Sequence, residues 1–183
     1  MATDVVVIGD GPGGLSAALY LAKAGKQVVV YGQDKTAMHA ALLKNYLGIQ
    51  EMTGTEFQQI ARAQVEQFGA RIVDDHVTGI SHQGDTFQVS LESGEQTQTT
   101  YLILSEGKSP RLAQTLGIEW DEVNGVSTDV HGKTSVDRVY AVGRQVRPGR
   151  SQAIISAGDG AAAAIDILSR EQGEPVTDWD TPD

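Results

Sequence analysis

A glycine-rich loop near the start of the chain is the segment whose residue types and spacing most directly indicate chemistry. Gly9, Gly11 and Gly14 form the pattern Gly-x-Gly-x-x-Gly within GDGPGG. The first glycine permits a tight turn, the second lets the backbone approach a pyrophosphate, and the third allows a helix to pack closely on a strand. The helix start then offers N–H groups and a positive dipole end to the phosphates. The spacing predicts a dinucleotide ligand, although a packing turn that binds nothing gives the same pattern.

The elements around this loop are those of a β-α-β unit. The loop follows the β-branched run 5–8 and precedes a helix predicted for residues 15–25, whose apolar side chains recur at helical spacing. A second strand is predicted at 27–31, parallel to the first. The sequence therefore predicts that a strand end and a helix start hold the loop between them.

The rest of the chain continues as an α/β pattern. The other predicted elements are a helix at 53–68 that opens with a capping box, strands at 71–80, 85–93, 97–105 and 137–143, and a helix at 151–170, with a loop-rich segment at 106–135. We predict a doubly wound parallel sheet of the FAD/NAD(P)-binding, Rossmann-like type with a small antiparallel β layer. Residues 1–170 are expected to form a single domain and residues 171–183 a flexible tail.

Composition excludes several kinds of chemistry. The 183 residues include 24 acidic and 14 basic side chains, a formal net charge of −10, and no cysteine. Without cysteine the chain has no disulfide, thiolate zinc site, dithiol or cysteine nucleophile of its own, so redox chemistry requires a bound cofactor. The acidic balance argues against nucleic acid and anionic membranes as partners. With no basic leader before the first strand, the expected location is the cytoplasm.

Four segments carry a family resemblance. VVVIGDGPGGLSAALYLAKAG, GTEFQQIARAQVEQFGARIVDDHV, VYAVG and SQAIISAGDGAAAAIDI resemble the FAD domain of low-molecular-weight thioredoxin reductases, which are class II-like pyridine nucleotide-disulfide oxidoreductases. Those enzymes insert an NADPH-binding domain with a Cys-x-x-Cys dithiol between two halves of the FAD domain. Here the first half ends near Ser105, and the following segment resembles the chain that comes after the insert. The resemblance implies a flavoprotein that lacks the inserted domain.

The resemblance also implies FAD as the cofactor and a set of residues around it. The glycine loop with Pro12 would contact the pyrophosphate. Asn45 would lie beside the ribityl chain and flavin, and His76 and Val77 at the adenine. Backbone N–H groups at the last helix start would face the flavin carbonyl, where donors stabilise charge on the reduced ring. The full predicted set is Gly9, Gly11, Pro12, Gly14, Tyr31, Asn45, His76, Val77, Gly107, Gly143, Arg144, Ser151, Gln152 and Ala153.

Three departures from the family pattern leave two interpretations open. Arg144 stands where the family has the Asp that holds the ribityl chain, and Ser105-Glu106-Gly107 replaces Ala-Thr-Gly. The second strand ends in Tyr31-Gly32 without an acid for the ribose, and Asp34 substitutes only if its loop folds back. The chain is then either a flavoprotein with a rebuilt site, in which Arg144 clamps the pyrophosphate, or a non-catalytic nucleotide-binding or regulatory module derived from one.

The remaining expectations concern catalysis and assembly. His39 is a weak candidate for proton transfer near the flavin, and a loop histidine without a catalytic role is the alternative. No metal-ligand spacing is present, so no metal is predicted. With neither dithiol nor NADPH domain, electrons would come from a separate donor protein or a small-molecule reductant, and thioredoxin would not be reduced by the family mechanism. A homodimer is expected, because surface that the inserted domain would cover needs shielding.

Overall fold

The computed structural model of the protein describes residues 3–182; Met1, Ala2 and Asp183, at the ends of the predicted domain and tail, lie outside the described residues. The strands are β1 Thr3–Ile8, β2 Val28–Tyr31, β3 Leu42–Leu43, β4 Met52–Thr53, β5 Arg71–Val73, β6 Val77–Gln83, β7 Thr86–Leu91, β8 Gln96–Leu104, β9 Trp120–Asp121, β10 Gly125–Val126 and β11 Val139–Ala141. The helices are α1 Pro12–Lys23, α2 Gly54–Gln67, α3 Arg111–Thr115 and α4 Ala153–Gln172, with 3-10 turns at Ala37–Ala40 and Gly143–Val146.

Seven strands form one mixed sheet. Its order is β5-β2-β1-β8-β7-β6, with β11 also paired to β8. The β5-β2-β1-β8 pairs and the β8-β11 pair are parallel, whereas β6, β7 and the start of β8 pair antiparallel. Strand β8 joins the two parts, because residues 96–99 pair with β7 while residues 99–104 continue along β1. The predicted fold class, a mainly parallel α/β sheet with a small antiparallel part, is confirmed.

Both faces of the sheet are covered, which is why residues 5–8 of β1 are a continuous apolar run. Val5 and Val7 belong to a buried cluster with α1 and α4, and Val6 and Ile8 to a second cluster on the opposite face. Side chains from the antiparallel strands and from α3 complete the second cluster. Packing on both faces therefore holds the sheet, including the edge formed by the carboxyl ends of its parallel strands.

A backbone contact sets how α1 and α4 cross. A Cβ on Gly160 would overlap the Gly13 carbonyl and lie 2.9 Å from the Ala17 amide nitrogen. Ala163 and Ala164, one turn further along α4, are fully buried in the cluster that contains Val5 and Val7. Nearer the sheet edge, a Cβ on Gly13 would lie 3.1 Å from the Ser156 carbonyl oxygen. Because Gly13 and Ser156 belong to the first turns of α1 and α4, both helix starts reach the same edge of the sheet.

Two segments differ from the prediction. The prediction of a single strand at 71–80 is wrong, because residues 74–76 divide it into β5 and β6. Strand β5 pairs parallel with β2, and β6 pairs antiparallel with β7. The segment 106–135 contains the short helix α3 and the hairpin β9-β10 in addition to loops. Their lengths of five and two residues are too short to leave a periodic pattern in the sequence.

The C-terminal residues make more contacts than a free tail would. Helix α4 continues to Gln172 and ends at Gly173 in the left-handed conformation, and the Lys23 ammonium pairs with Asp178 at 2.6 Å and Asp180 at 2.5 Å. Flexibility of residues 171–183 stays a prediction. Across residues 3–182, no helix combines the length and apolar character needed to cross a membrane.

Candidate cofactor-binding site

An open cleft of about 790 Å³ runs along the carboxyl ends of the parallel strands. In open α/β sheets this edge is where ligands bind. Thirteen of the fourteen residues predicted to bind the cofactor line the cleft; the exception is Gly14, which is buried in α1. Residues more than 100 positions apart, such as Pro12 and Gln152, therefore meet at one place.

The glycine loop is shaped by two close backbone approaches. Gly9 has φ +102°, and a Cβ there would lie 2.8 Å from the Ser105 carbonyl carbon at the end of β8. A Cβ on Gly14 would overlap the Gly9 carbonyl and lie 3.1 Å from Val7. Gly11 is different, because its Cβ position meets only the Thr36 hydroxyl, at 3.6 Å. Two glycines thus fit the loop against the sheet, while the third leaves open space on the cleft side.

Two long helices begin at this cleft without a protein cap. The N-cap of α1 is Gly11, and the N-cap of α4 is Gln152; neither helix start has a side-chain cap hydrogen bond. The first N–H groups of a helix have no partner within the helix, and the positive dipole end lies with them. Gly11, Gly13, Gln152 and Ala153 line the cleft, so both starts offer donors to the same space.

Arg144 places a cation in the cleft. It lies in the 3-10 turn after β11, is half-buried and lines the cleft. Among residues 3–182 its guanidinium has no hydrogen bond or ion pair, whereas Arg147 in the same segment pairs with Asp159 at 2.9 Å. The cleft therefore holds a guanidinium that is not used in protein packing, close to two helix starts.

A side-chain hydrogen bond joins the loop that carries Asn45 to the start of α4. The Asn45 amide donates to the Gln152 side-chain oxygen at 3.0 Å. Leu42 and Leu43 of the small hairpin β3-β4 line the cleft beside them. This contact fixes the loop that carries Asn45 over the start of α4.

The end of the cleft predicted for adenine is built by the turn between β5 and β6. His76 and Val77 line it, and the Arg111 guanidinium donates to the carbonyls of Val77 at 2.6 Å and Thr78 at 2.9 Å. Hydrogen bonds from Ser93 and from backbone amides lower the pKa of Asp75, which keeps that carboxylate charged beside the turn. The backbone of this end is thus fixed by α3.

Glu106, one of the three departures, lines the cleft, and its carboxylate is hydrogen-bonded to the start of α3. Its carboxylate accepts from the amides of Leu112 at 3.0 Å and Ala113 at 3.3 Å, and so closes the start of α3. Burial raises the pKa of the Glu106 carboxyl, and these amide donors oppose the shift. The carboxylate that replaces the family threonine is therefore engaged by α3.

His39 lies in the 3-10 turn before β3 and does not line the cleft. Its Nδ1 lies 3.0 Å from the Thr55 hydroxyl, and its Nε2 lies 2.9 Å from the Asp34 carbonyl oxygen and 3.0 Å from the carboxylate. Both ring nitrogens are engaged in joining two loops to α2. This geometry favours the structural alternative, and the catalytic role stays a weak prediction without support.

Sequence reasoning missed Asp10, the second residue of the glycine loop. Asp10 lines the cleft, is 5% exposed and pairs with Arg62 of α2, while its carbonyl accepts from the buried Gln58 amide. The available signal was a carboxylate between two glycines of the predicted phosphate-binding loop, where a negative charge is costly unless it is paired. Within the described residues, no group of three or more His, Cys, Asp or Glu is arranged to hold a metal ion.

The chain resembles known proteins in sequence. The family profile described as pyridine nucleotide-disulphide oxidoreductase matches residues 3–48 and 41–160. The chain is 31% identical over 173 residues to the bifunctional thioredoxin reductase/thioredoxin of Mycobacterium leprae, covering 91% of this chain and 35% of that protein. It is 32% identical over 113 residues to the thioredoxin reductase of Streptomyces coelicolor, covering 59% of this chain and 35% of that one. The chain thus spans about a third of the length of these relatives.

Solved structures share the fold. The atypical thioredoxin reductase TRi from Desulfovibrio vulgaris Hildenborough superposes with a TM-score of 0.85 at 21% identity, covering 94% of this chain and 99% of that one. A thioredoxin reductase from Gloeobacter violaceus gives a TM-score of 0.86 at 19% identity, covering 97% and 98%. The profile match extends over most of the chain. The chain belongs to the pyridine nucleotide-disulphide oxidoreductase family.

Proposed function

We propose that this chain is an FAD-binding flavoprotein of the oxidoreductase class that exchanges electrons with an external donor. FAD is the cofactor of the family to which the chain belongs. The observation that carries the proposal is the pair of uncapped helix starts, α1 and α4, which open into one cleft. A dinucleotide needs donors at its pyrophosphate and at its far end, and two separate helix starts supply both.

The cleft residues fit the cofactor in three parts. The first amides of α1 would donate to the pyrophosphate, which Gly11 leaves room to approach. The first amides of α4, at Ala153, would donate to a flavin carbonyl. Arg144 would add a cation on the pyrophosphate or ribityl oxygens, in an otherwise acidic protein. When bound, FAD supplies the ring that accepts and returns electrons.

The electron donor is proposed to be a separate molecule. The chain has no cysteine, so it holds no dithiol through which electrons pass to thioredoxin. It also spans about a third of the relatives named thioredoxin reductase, covering 35% of the Streptomyces coelicolor protein. A donor protein or a small-molecule reductant would then reach the flavin at the open side of the cleft. Cytoplasmic location stays part of this proposal.

A homodimer is the proposed assembly. Leu42, Leu47, Ile154 and Ile155 are large apolar side chains exposed on the β3 loop and the first turn of α4, the two segments that Asn45 and Gln152 join. Exposed apolar side chains gathered at the mouth of a cleft favour coverage by another protein surface. Sedimentation at micromolar concentration tests this directly, since a strict monomer in the FAD-loaded protein contradicts it.

The visible absorption spectrum of the purified chain tests the function. Flavin bands in the purified protein, or after incubation of stripped protein with FAD and gel filtration, are the expected result. A colourless protein that retains no FAD in this reconstitution contradicts the proposal and supports a non-catalytic nucleotide-binding module. Reduction of the bound flavin by dithionite, followed by reoxidation with a one-electron acceptor, then tests whether the site supports redox turnover.

A further inference from the structure

The second parallel strand lacks the carboxylate that dinucleotide sites usually carry at its end. That carboxylate accepts a hydrogen bond from the 2′-hydroxyl of the adenosine ribose. Here β2 ends at Tyr31 and is followed by Gly32. Asp34 does not take the place, because its carboxylate lies 3.0 Å from His39 Nε2 and its own amide donates to another carboxylate.

The Asp10 carboxylate lies where the missing carboxylate would be, although Asp10 follows β1 and not β2. A Cβ built on Gly32 would lie 2.6 Å from both the Cβ and the Oδ1 atom of Asp10. The space that a side chain at position 32 would fill is therefore filled by Asp10, which follows β1. Gly32 and Asp10 both line the cleft.

The two oxygens of this carboxylate have different surroundings. Oδ2 accepts from the Asp34 amide at 2.9 Å and from the Arg62 guanidinium. Oδ1 has no hydrogen-bond partner among residues 3–182, and it is the oxygen beside Gly32. The Gln58 amide donates to the Asp10 carbonyl. The Asp34 amide and Arg62 thus orient the carboxylate, Gln58 holds the Asp10 backbone, and one carboxylate oxygen is left for a ligand.

Arg62 explains how a carboxylate is tolerated beside a phosphate-binding loop. A buried negative charge is costly unless it is paired, and a second negative group nearby increases the cost. The ion pair with Arg62 of α2 offsets the Asp10 charge from the side away from the cleft lining, since Arg62 is not among the lining residues. Because Arg62 offsets part of its charge, the carboxylate repels the pyrophosphate less and is still able to accept a hydrogen bond from a neutral hydroxyl.

We propose that Asp10 is the residue that holds the 2′-hydroxyl of the adenosine ribose and so selects a dinucleotide with a free 2′-hydroxyl. The inference rests on the proposed FAD function and adds a specificity residue to it. A hydrogen bond from a hydroxyl to a desolvated carboxylate corresponds to about a tenfold to hundredfold change in affinity. A 2′-phosphate would be repelled by the same oxygen.

The test compares FAD with its analogue lacking the adenosine 2′-hydroxyl, by calorimetric titration of stripped protein. The natural chain is expected to bind FAD about tenfold more tightly than the analogue. In Asp10→Gly the two ligands should bind equally. The double variant Asp10→Gly, Gly32→Asp returns a carboxylate to the end of β2, into the space that Asp10 vacates, and should restore the preference for FAD.

The outcomes separate this inference from the function on which it rests. No binding of FAD to the natural chain overturns both. Binding of FAD and the analogue within twofold of each other by the natural chain overturns the role of Asp10 and leaves the flavoprotein proposal standing. An unchanged preference in Asp10→Gly does the same. Because the comparison within the natural chain needs no variant, it is able to overturn the inference even if Asp10→Gly fails to fold.

Discussion

The α1 and α2 helices begin in opposite ways. At α2 the Thr53 hydroxyl accepts from the Glu56 amide at 3.2 Å, and at the shorter α3 the Glu106 carboxylate accepts from the first amides. At α1 the N-cap is Gly11 and no side chain closes the helix; the same is true of α4 at Gln152. Both uncapped starts line the cleft, and so does the α3 start with Glu106, whereas Thr53 at the start of α2 does not.

The difference shows where this protein keeps its helix donors available. A helix start needs acceptors for its first amides, and a side-chain cap supplies one at a gain of roughly 1 kcal/mol. At α2 that gain goes into the stability of the fold. At α1 and α4 the amides remain available to a ligand, which satisfies them only when it binds. The cap of α2 therefore stabilises the domain, whereas the uncapped starts of α1 and α4 belong to the candidate site.

The largest expected effect comes from giving α1 a protein cap with Gly11→Asp. The φ of −74° and ψ of 178° at Gly11 suit any residue, its Cβ position is open, and Asp is a favoured N-cap. The carboxylate would occupy the first amides and face the pyrophosphate, so FAD affinity should fall by about a hundredfold or more, at roughly 1.4 kcal/mol per tenfold. Titration with FAD and thermal unfolding of the stripped protein measure the two effects.

Stability is the control in this experiment. The unfolding free energy of stripped Gly11→Asp should be unchanged or slightly higher. Gly158→Asp, on the exposed face of α4 with no atom near its Cβ position, should leave FAD affinity unchanged. Normal FAD binding by Gly11→Asp would mean that the amides of α1 do not hold the ligand.

Arg144 tests whether the cleft has been rebuilt around a cation. Arg144→Ala should weaken FAD binding by about tenfold to a hundredfold, the range for a charge-assisted contact of roughly 1.5–3 kcal/mol. Arg144→Asp should be weaker still, because it places a negative charge beside phosphates. Arg150→Ala, an exposed arginine outside the cleft lining, is the matched control. Tighter binding by Arg144→Asp than by the natural chain would favour the non-catalytic alternative.

Much of this arrangement could be predicted from the sequence because its determinants are local. The loop pattern, the β-branched run 5–8 and the Thr53 cap each lie within a few residues, and the structure has them where they were predicted. The break at 74–76 was missed because β5 and β6 both contain β-branched residues, and nothing local shows that these consecutive strands lie at opposite edges of the sheet.

What remained hidden depends on contacts between distant segments. The position of Asp10 beside Gly32, its pairing with Arg62 and the engagement of Glu106 by α3 are set by packing across 6 to 52 positions. Composition and periodicity contain no information on such distances. The resemblance to a known family predicted most of the residues that line the cleft. The residues that depart from the family pattern could be interpreted only from the contacts that they make in the structure.

Thr53→Ala should give the reverse of Gly11→Asp. Loss of the hydroxyl that accepts from the Glu56 amide is expected to lower the unfolding free energy by about 1 kcal/mol. FAD affinity should stay within about twofold, because α2 begins outside the cleft lining. Urea unfolding and the FAD titration check this pair of results. A large loss of affinity with unchanged stability would erase the distinction between the two kinds of helix start.

Glu106 provides the smallest and most specific test, because the cap at α3 is an ionisable group. Burial raises the pKa of its carboxyl in the folded protein above the value of about 4.5 in the unfolded chain. The folded state therefore holds this proton more tightly, and the stabilising contribution of the group is fully present below the unfolded pKa and is lost as pH rises through the folded pKa. In Glu106→Gln the amide oxygen still accepts from Leu112 but does not titrate. The stability of the natural chain relative to Glu106→Gln, measured by urea unfolding of stripped protein between pH 4 and pH 8, should consequently fall with rising pH. A relative stability that rises with pH would contradict this prediction. It would mean that the hydrogen bonds from the α3 amides outweigh burial and keep the carboxylate charged. The start of α3 would then resemble an anion site, and its contrast with α1 would be weaker.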